Sequence, residues 1–568
     1  MGTSKAPDPA VVVAGGGPIG LALAAELGRR GVRTLLVDAG PEPLGDRQPG
    51  DAKMIQVSVR TMEFCRQLGI GEQVRDWGFP PDHGLDSVFV TTLTGHELGR
   101  VRTPTLADMP DSPASPERDR PCPQTWFDPI LRRFARDSGH VAFRYKTRLT
   151  SFGQDSGGVT VTVEDGDGLH TLRAGYLVGC DGAGSTVRSL LGIEVRGERH
   201  LDRSMSVYVT VPGLDGFHDK GSAYRYVMVG PAGTWAVLTT IDGRDLYRLQ
   251  LIGADLSGRG EDEIIRVLHR CVGAEVPCAI EGSSAWDRQM TVADRFSDGR
   301  VFLAGDAAHA HPPNGGLGMN TGIPDAWDLG WKLAAVLQGW AGPTLLDSYD
   351  IERRPVCHRA AQESLRDYRR LVDGSGDPHV LEDTPEGAAA RERLGHRLVT
   401  ENERSWHPVG VHLGYLTFPS PVVVDDGSPV AEDDTFRYVP SARPGARAPH
   451  VWLAPGRSTL DLFGPGFTLL DFGGEGTGTG RLAEAASRRN VPLRLCRVDN
   501  EAASSLYERR LVLVRPDGHV AWRADAVSAA ADALSIIDTV RGAGPRIAAR
   551  RSPAGPLPGE LAGSRQPA

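Results

Sequence analysis

The stretch PAVVVAGGGPIGLALAAELGRRGVRTLLVDA, residues 9–39, leaves this chain few folds to adopt. An apolar run gives way to Gly15, Gly17 and Gly20 in G-x-G-x-x-G spacing, then to an amphipathic segment stopping at Gly31, then to a second apolar run ending at Asp38. That order predicts strand, tight turn, helix and second strand. Each glycine has a steric duty: the first permits the turn, the second lets a pyrophosphate approach the backbone, and the third lets helix and strand pack closely. Pro18 and Ile19 fall at the helix start, where unpaired N–H groups and the helix dipole favour an anion. Asp38 falls about 20 residues on, where an acidic side chain bonds a ribose hydroxyl. The unit predicts a dinucleotide site without choosing the dinucleotide.

At 568 residues the chain has room for two or three compact units. It is 40% apolar and 24% charged, and no run approaches the roughly 20 apolar residues of a membrane span. The opening MGTSKAPDPA lacks the pattern of a secretion leader, so a cytoplasmic location is expected. Seven scattered cysteines without a CxxC pair predict neither a disulfide framework nor a zinc site. A net charge of -9 with dispersed basic residues argues against a nucleic-acid partner.

Strand-like and helix-like patterns divide the chain further. A dinucleotide-binding fold is predicted in three parts, residues 9–85, 116–198 and 291–404, the last running into a helical region. Residues 86–115 and 199–290, rich in alternating Val, Tyr, Trp and Thr, predict an inserted antiparallel sheet. A linker is expected at 405–447, a separate α/β unit at 448–548, and a mobile Pro/Gly/Ala-rich tail at 549–568.

Two further motifs narrow the reading. Cys180-Asp181-Gly182-Ala183-Gly184-Ser185-Thr186-Val187-Arg188 follows the strand YLVG, and Gly305-Asp306-Ala307-Ala308-His309 follows RVFLA and runs on through HPPNGGLGMNTG. Together with the first glycine turn, these segments resemble the class A flavoprotein aromatic hydroxylases, the family of para-hydroxybenzoate and phenol hydroxylases. The resemblance covers roughly residues 9–375. It implies FAD contacts from Asp181, Ser185, Arg188, Gly305 and Asp306, with the DG segment also serving NAD(P)H. Lys53 (where the family more often has Arg), Arg60 and Gln124 match further family positions and join the expected cofactor set. Asp328 departs from the family's usual Asn and is read as a packing change.

The Pro/Gly loop suits a flavin. Backbone N–H groups at a helix start stabilise the negative charge of the reduced ring without bringing a competing proton. Gly318 and Met319 are the candidates, with Asn320 beside them, and Pro312 stiffens the loop next to the reacting edge. Tyr224, Tyr226, Met228 and Trp235 are expected to line the substrate pocket, and Arg225 or Arg248 could meet an acidic substrate group. His309 and His311 lack a third ligand nearby, so no metal is expected. The C-terminal unit resembles the thioredoxin-like appendage of the phenol hydroxylase branch, without redox cysteines.

The resemblance implies an α/β chain that takes electrons from NADPH or NADH into FAD, adds O₂ at flavin C4a, and hydroxylates a small phenolic or other electron-rich aromatic through the resulting hydroperoxide. A homodimer is compatible with it. Baeyer–Villiger or epoxidising oxygenases would keep the same motifs, and a non-catalytic flavin-binding scaffold or sensor is the reading from another class.

Overall fold

The computed structural model describes residues 8–43, 45, 54–372, 376–405, 408–473 and 476–547. The expectations placed on Lys53 and on a tail at 549–568 lie outside these residues. At the centre is a six-stranded sheet in the order 297–298, 301–303, 176–179, 11–14, 34–37, 141–144. It is parallel except where Ser297–Asp298 meets Val301–Leu303. Val11–Ala14 is buried throughout, as a parallel strand covered on both faces requires. The helix Pro18–Arg29 packs against the helices Gln124–Asp137 and Leu317–Leu337.

The inserted sheet has seven strands in the order 279–287, 203–210, 246–251, 233–240, 225–230, 87–90, 97–101. Its pairings are antiparallel apart from Arg225–Gly230 with Ser87–Val90, the junction between the two separate stretches of chain. One face packs on the helix Glu261–Val272 through Met205, Leu249, Ile264 and Leu268. On the other face, Tyr208, Ile241 and Leu246 meet Ile55 and Trp126 of the dinucleotide-binding fold. The helix Pro385–Ser405 also serves this sheet, with Leu394 and Leu398 against Val227 and Val229.

The C-terminal sheet has the order 493–497, 467–471, 511–514, 520–524, its first pair parallel and the rest antiparallel, which is the thioredoxin-like arrangement. The expected linker is a packed segment, with Val422, Val423, Ala442 and Ala446 buried. Val422 bridges the two units, packing with Trp331 and Trp340 on one side and Phe467 and Leu513 on the other.

Charged side chains buried at this junction fix how the unit docks. Arg515 is wholly buried and donates to Asp328 Oδ1 at 2.8 Å, Glu352 Oε1 at 2.8 Å and Asp517 Oδ2 at 2.6 Å. Lys332 Nζ lies 2.8 Å from Asp328 and 2.7 Å from Glu352. Beside this cluster Glu63 accepts from Arg60 at 2.7 Å, from Ser115 at 2.6 Å and from Arg447 of the C-terminal part. Burial works to raise the Glu63 carboxyl, but Arg447 and Arg60 outweigh it and hold it at about 2. Burial lowers His519 to about 4 despite the nearby Asp517.

Both folded-state values are depressed, so the stability they contribute is present above the unfolded values of 6.5 and 4.5 and is lost as pH falls through about 4 and about 2. Limited proteolysis between pH 8 and pH 4 is expected to show cleavage within 405–447 rising below pH 6.5, the His519 window. A cleavage pattern constant across that range would contradict this.

Among the described residues, no helix is long and apolar enough to cross a membrane.

Candidate active site

The first glycine turn is built as its sequence requires. Gly15 has φ 108°, and a Cβ there would collide with the Cys180 carbonyl, while one at Gly20 would collide with the carbonyl of Gly15. Gly17 differs, since a Cβ there would meet nothing within 4 Å. Gly17 is also the N-cap of Pro18–Arg29, and no side chain caps that helix start. The N–H groups of the first turn are therefore available to an anion. Asp38 accepts from Gly16 N–H at 2.6 Å and Gly40 N–H at 2.7 Å, so it braces the turn, and a ribose hydroxyl would share these oxygens through their remaining lone pairs. The Ile19 side chain packs into the space left by the missing Cβ atoms of Gly305 and Gly322, so only its backbone can serve a ligand.

The two later motifs meet this turn and each other. Asp181 accepts from Ser185 Oγ at 2.5 Å and from Val187 N–H at 3.1 Å, and Ser185 Oγ caps Arg188 N–H at 3.0 Å. Arg188 donates to the carbonyls of Ala307 at 2.9 Å and Ala183 at 2.7 Å, tying the second motif to the third. These three side chains, expected to contact the cofactor directly, have their hydrogen bonds directed into the loops. Asp306 is exposed between buried Gly305 and Ala307. Gln124 bonds Asp128 Oδ2 at 3.1 Å, and burial raises Asp128 to about 7.

Beyond the Pro/Gly loop, the helix Leu317–Leu337 starts from Gly316 at φ 64°, again with no side-chain cap. A Cβ on Gly318 would meet nothing within 4 Å, and Met319 packs partly buried against the core. Pro312 is buried. Asn320 departs from expectation. Its Oδ1 accepts from Ser58 N–H and Thr61 Oγ1, each at 2.8 Å, and its Nδ2 donates to the carbonyls of Gln56 and Gly316, so its side chain is saturated by holding two helices together. Arg60 departs as well. Its guanidinium bonds Glu63 and the Asp517 carbonyl and lies 4.5 Å over the Trp327 ring, which makes it part of the domain junction.

Of the four expected pocket residues, only Tyr224 turns toward the dinucleotide-binding fold, reaching the Ile55 carbonyl at 3.4 Å. Tyr226 and Met228 pack on the other face against Glu261–Val272, and Trp235 joins them under Arg270. Strand alternation is the cause: residues of opposite parity point into the cleft. Arg225 is opposite Thr239, Thr239 opposite Arg248, and Arg248 opposite Tyr208, so four neighbouring strands present one transverse row on the cleft face. Burial, then Tyr224 and the like charge of Arg248, act on Arg225, and its pKa falls to about 10.

Sequence reasoning missed a buried cluster behind the third motif. His309 Nε2 lies 2.6 Å from Asp325 Oδ2, and His309 Nδ1 lies 3.0 Å from His311 Nε2. Asp325 also accepts from Arg353 at 2.8 Å, from the Cys357 thiol at 3.4 Å and from Gly305 N–H at 3.2 Å, which anchors the motif itself. His309, Asp325 and Cys357 bring potential ligand atoms within 4.8 Å of one another. Arg353 on the same carboxylate and a thiol kept protonated by burial make this trio a poor cation site. GDAAH gave the one signal, its histidine; nothing in the sequence paired it with Asp325.

Residues 8–364 match the family model described as an FAD binding domain. Residues 441–543 match that of the aromatic-ring hydroxylase C-terminal domain. The chain belongs to the FAD-dependent aromatic-ring hydroxylases. The hydroxylase is 33% identical to 2,4-dichlorophenol 6-monooxygenase of Cupriavidus pinatubonensis over 94% of this chain and 96% of that one. It is 34% identical to aklavinone 12-hydroxylase RdmE of Streptomyces purpurascens, over 93% and 97%. Among solved structures it resembles RebC with bound 7-carboxy-K252c, at TM-score 0.86 and 38% identity over 94% of this chain and 99% of that one. Its likeness to aklavinone-11 hydroxylase, solved with FAD and aklavinone, has TM-score 0.79 at 31% identity over 94% and 99%. The hydroxylase is an FAD-dependent aromatic monooxygenase that uses NAD(P)H and O₂. Two uncapped helix starts and the open backbone at Gly17 and Gly318 fit that cofactor's pyrophosphate and ring.

Proposed function

We propose that the hydroxylase acts on a planar, electron-rich aromatic that carries an acidic group, a phenol or a carboxylated polycycle, held against the cleft face of the inserted sheet. The observation that carries this is the row Arg225, Thr239, Arg248 and Tyr208 across four strands. Arg225 and Arg248 carry like charge on this one face, which the acidic group of a substrate would complement. Relatives named for dichlorophenol and aklavinone are consistent with an aromatic ring bearing hydroxyls.

In this reading FAD supplies the oxygen-transfer chemistry. The start of Pro18–Arg29 would receive the pyrophosphate, and Asp38, which braces the turn, would meet the ribose. Asp306 would meet the cofactor's middle, and the N–H groups of Gly318 and Met319 would stabilise the ring's electron-rich end. The sheet above, with Tyr224 and the arginine row, orients the substrate and keeps water out.

Substrate-stimulated NAD(P)H oxidation across phenols, hydroxybenzoates and polycyclic phenols, with product mass and ¹⁸O₂ incorporation, tests the reading. Acidic members are expected to stimulate most. Ring-inserted oxygen would replace this reading with Baeyer–Villiger chemistry, an epoxide with epoxidation, and no stimulation by any member with FAD bound would favour a scaffold. Arg248→Met is expected to raise KM for the acidic substrates about 10- to 100-fold, the worth of one charged hydrogen bond, with a smaller change in kcat. An unchanged KM would remove Arg248 from the substrate site.

A further inference from the structure

We propose that Asp325, His309 and His311 form a proton relay that ends in the cofactor and substrate cleft, with His311 as the residue that delivers the proton. This rests on the hydroxylase reading and adds to it a group that handles the proton the reaction consumes. One oxygen atom of O₂ enters an aromatic C–H bond and the other leaves as water. That balance takes one proton in addition to the hydride from NAD(P)H.

Three observations carry the relay. The chain of contacts is continuous, from Asp325 Oδ2 to His309 Nε2 at 2.6 Å and from His309 Nδ1 to His311 Nε2 at 3.0 Å. His311 opens the loop that leads through Pro312 and Pro313 into the uncapped start of Leu317–Leu337. On this loop His311 Nδ1 and Asn314 Oδ1 are both buried without a hydrogen-bond partner among the described residues. A buried donor and acceptor left open three residues apart on one loop cost stability unless a ligand or water satisfies them.

The charges around the pair set its protonation. His309 meets Asp325 on one helix, Cys357 on the next, and His311 on its own segment, and it stacks on Phe296, while Arg353 and Tyr349 act on the far side of Asp325 and Cys357. Burial works against a charge on His309, yet the Asp325 carboxylate 2.6 Å from its Nε2 outweighs this and shifts it upward. Burial and the charge of His309 push His311 well below its ordinary value. His309 is then an imidazolium donating from both nitrogens. His311 is neutral, accepting at Nε2 and carrying its proton on Nδ1.

Delivery follows from this arrangement. The proton on His311 Nδ1 leaves for an acceptor in the cleft, while the proton on His309 Nδ1 moves to His311 Nε2. His309 ends neutral, still bonded to Asp325 through Nε2–H, and reprotonation from solvent restores the pair. Within the relay only His309 changes charge, from imidazolium to neutral; His311 stays neutral with its proton moved to Nε2, and the acceptor gains one proton.

His311→Gln and His311→Leu remove the final carrier, and since the side chain makes one hydrogen bond among the described residues, to His309, they disturb the fold least. ¹⁵N-histidine NMR of the full chain at pH 8 is expected to show one doubly protonated imidazole, lost in His309→Gln, and one neutral ring protonated on Nδ1, lost in His311→Gln. With FAD affinity unchanged, both His311 variants are expected to lose product formation on the order of 100-fold, the contribution of a positioned general acid. They are also expected to divert NAD(P)H to hydrogen peroxide and to flatten the alkaline limb of the rate profile. A neutral His309 at pH 8, or His311 variants with wild-type rate and pH profile, would overturn the relay. The NMR result stands whether or not the substrate class proposed above is right.

Discussion

Arg515→Met is expected to destabilise the hydroxylase by about 3–5 kcal/mol, the cost of leaving buried charges without their partner. Arg515 is fully buried and contacts three carboxylates, from Asp328, Glu352 and Asp517, with Lys332 as the other nearby cation. Methionine fills the volume but neutralises nothing. Burial raises Asp328, so in the variant this carboxyl is expected to take up a proton near neutrality. Pairing Arg515→Met with Glu352→Gln removes an acid along with the base and is expected to recover part of the loss, because the penalty arises from imbalance. Urea unfolding followed by Trp fluorescence reads this directly, since Trp331 lies beside Arg515 and stacks with Trp340. A midpoint for Arg515→Met equal to that of the wild type would mean the domain junction is held by apolar packing alone.

Gly17→Val is expected to abolish most FAD binding while leaving the apoprotein as stable as the wild type. At φ -74° this position accepts any residue, and a Cβ there meets no atom within 4 Å among the described residues, so the fold has no reason to object. The cofactor does, because the side chain would occupy the approach to the first turn of Pro18–Arg29. Affinity is expected to fall on the order of 100-fold, equivalent to about 2.7 kcal/mol. Gly20→Val offers the contrast: its Cβ collides with the Gly15 carbonyl, so stability and cofactor should be lost together. Flavin fluorescence titration alongside thermal melts separates the two outcomes. Undiminished FAD affinity in Gly17→Val would place the pyrophosphate elsewhere.

Local pattern carried the fold because the central strands are covered on both faces, and such strands read as apolar runs in any sequence. The glycine turn was equally legible, since its steric demands admit no other residue type at Gly15 and Gly20. The pocket face was not. A one-residue difference in parity turns Tyr226 and Met228 into core and Arg225 into cleft, and apolar character cannot announce the side when a helix covers one face and a cofactor domain the other. Asn320 and Arg60 were misread for a related reason. Motif position gave their neighbourhood but could not show that Ser58, Thr61, Glu63 and Asp517 would claim their donors and acceptors. Arg515 and Asp517 were invisible as a docking device because their counterparts lie some 160 to 190 positions earlier in the chain.

The central sheet sets a timetable for synthesis. Val11–Ala14 gains its first neighbour at Thr34–Val37, but its other flank waits for Tyr176–Gly179, and that strand waits in turn for Val301–Leu303. At ribosomal speeds of about 5–20 residues per second, the first open flank persists for roughly 7–30 s. Through that interval a strand made almost wholly of valine presents unpaired backbone to other nascent chains. Losses to aggregation are thus decided before the arginine that locks the last domain has been translated.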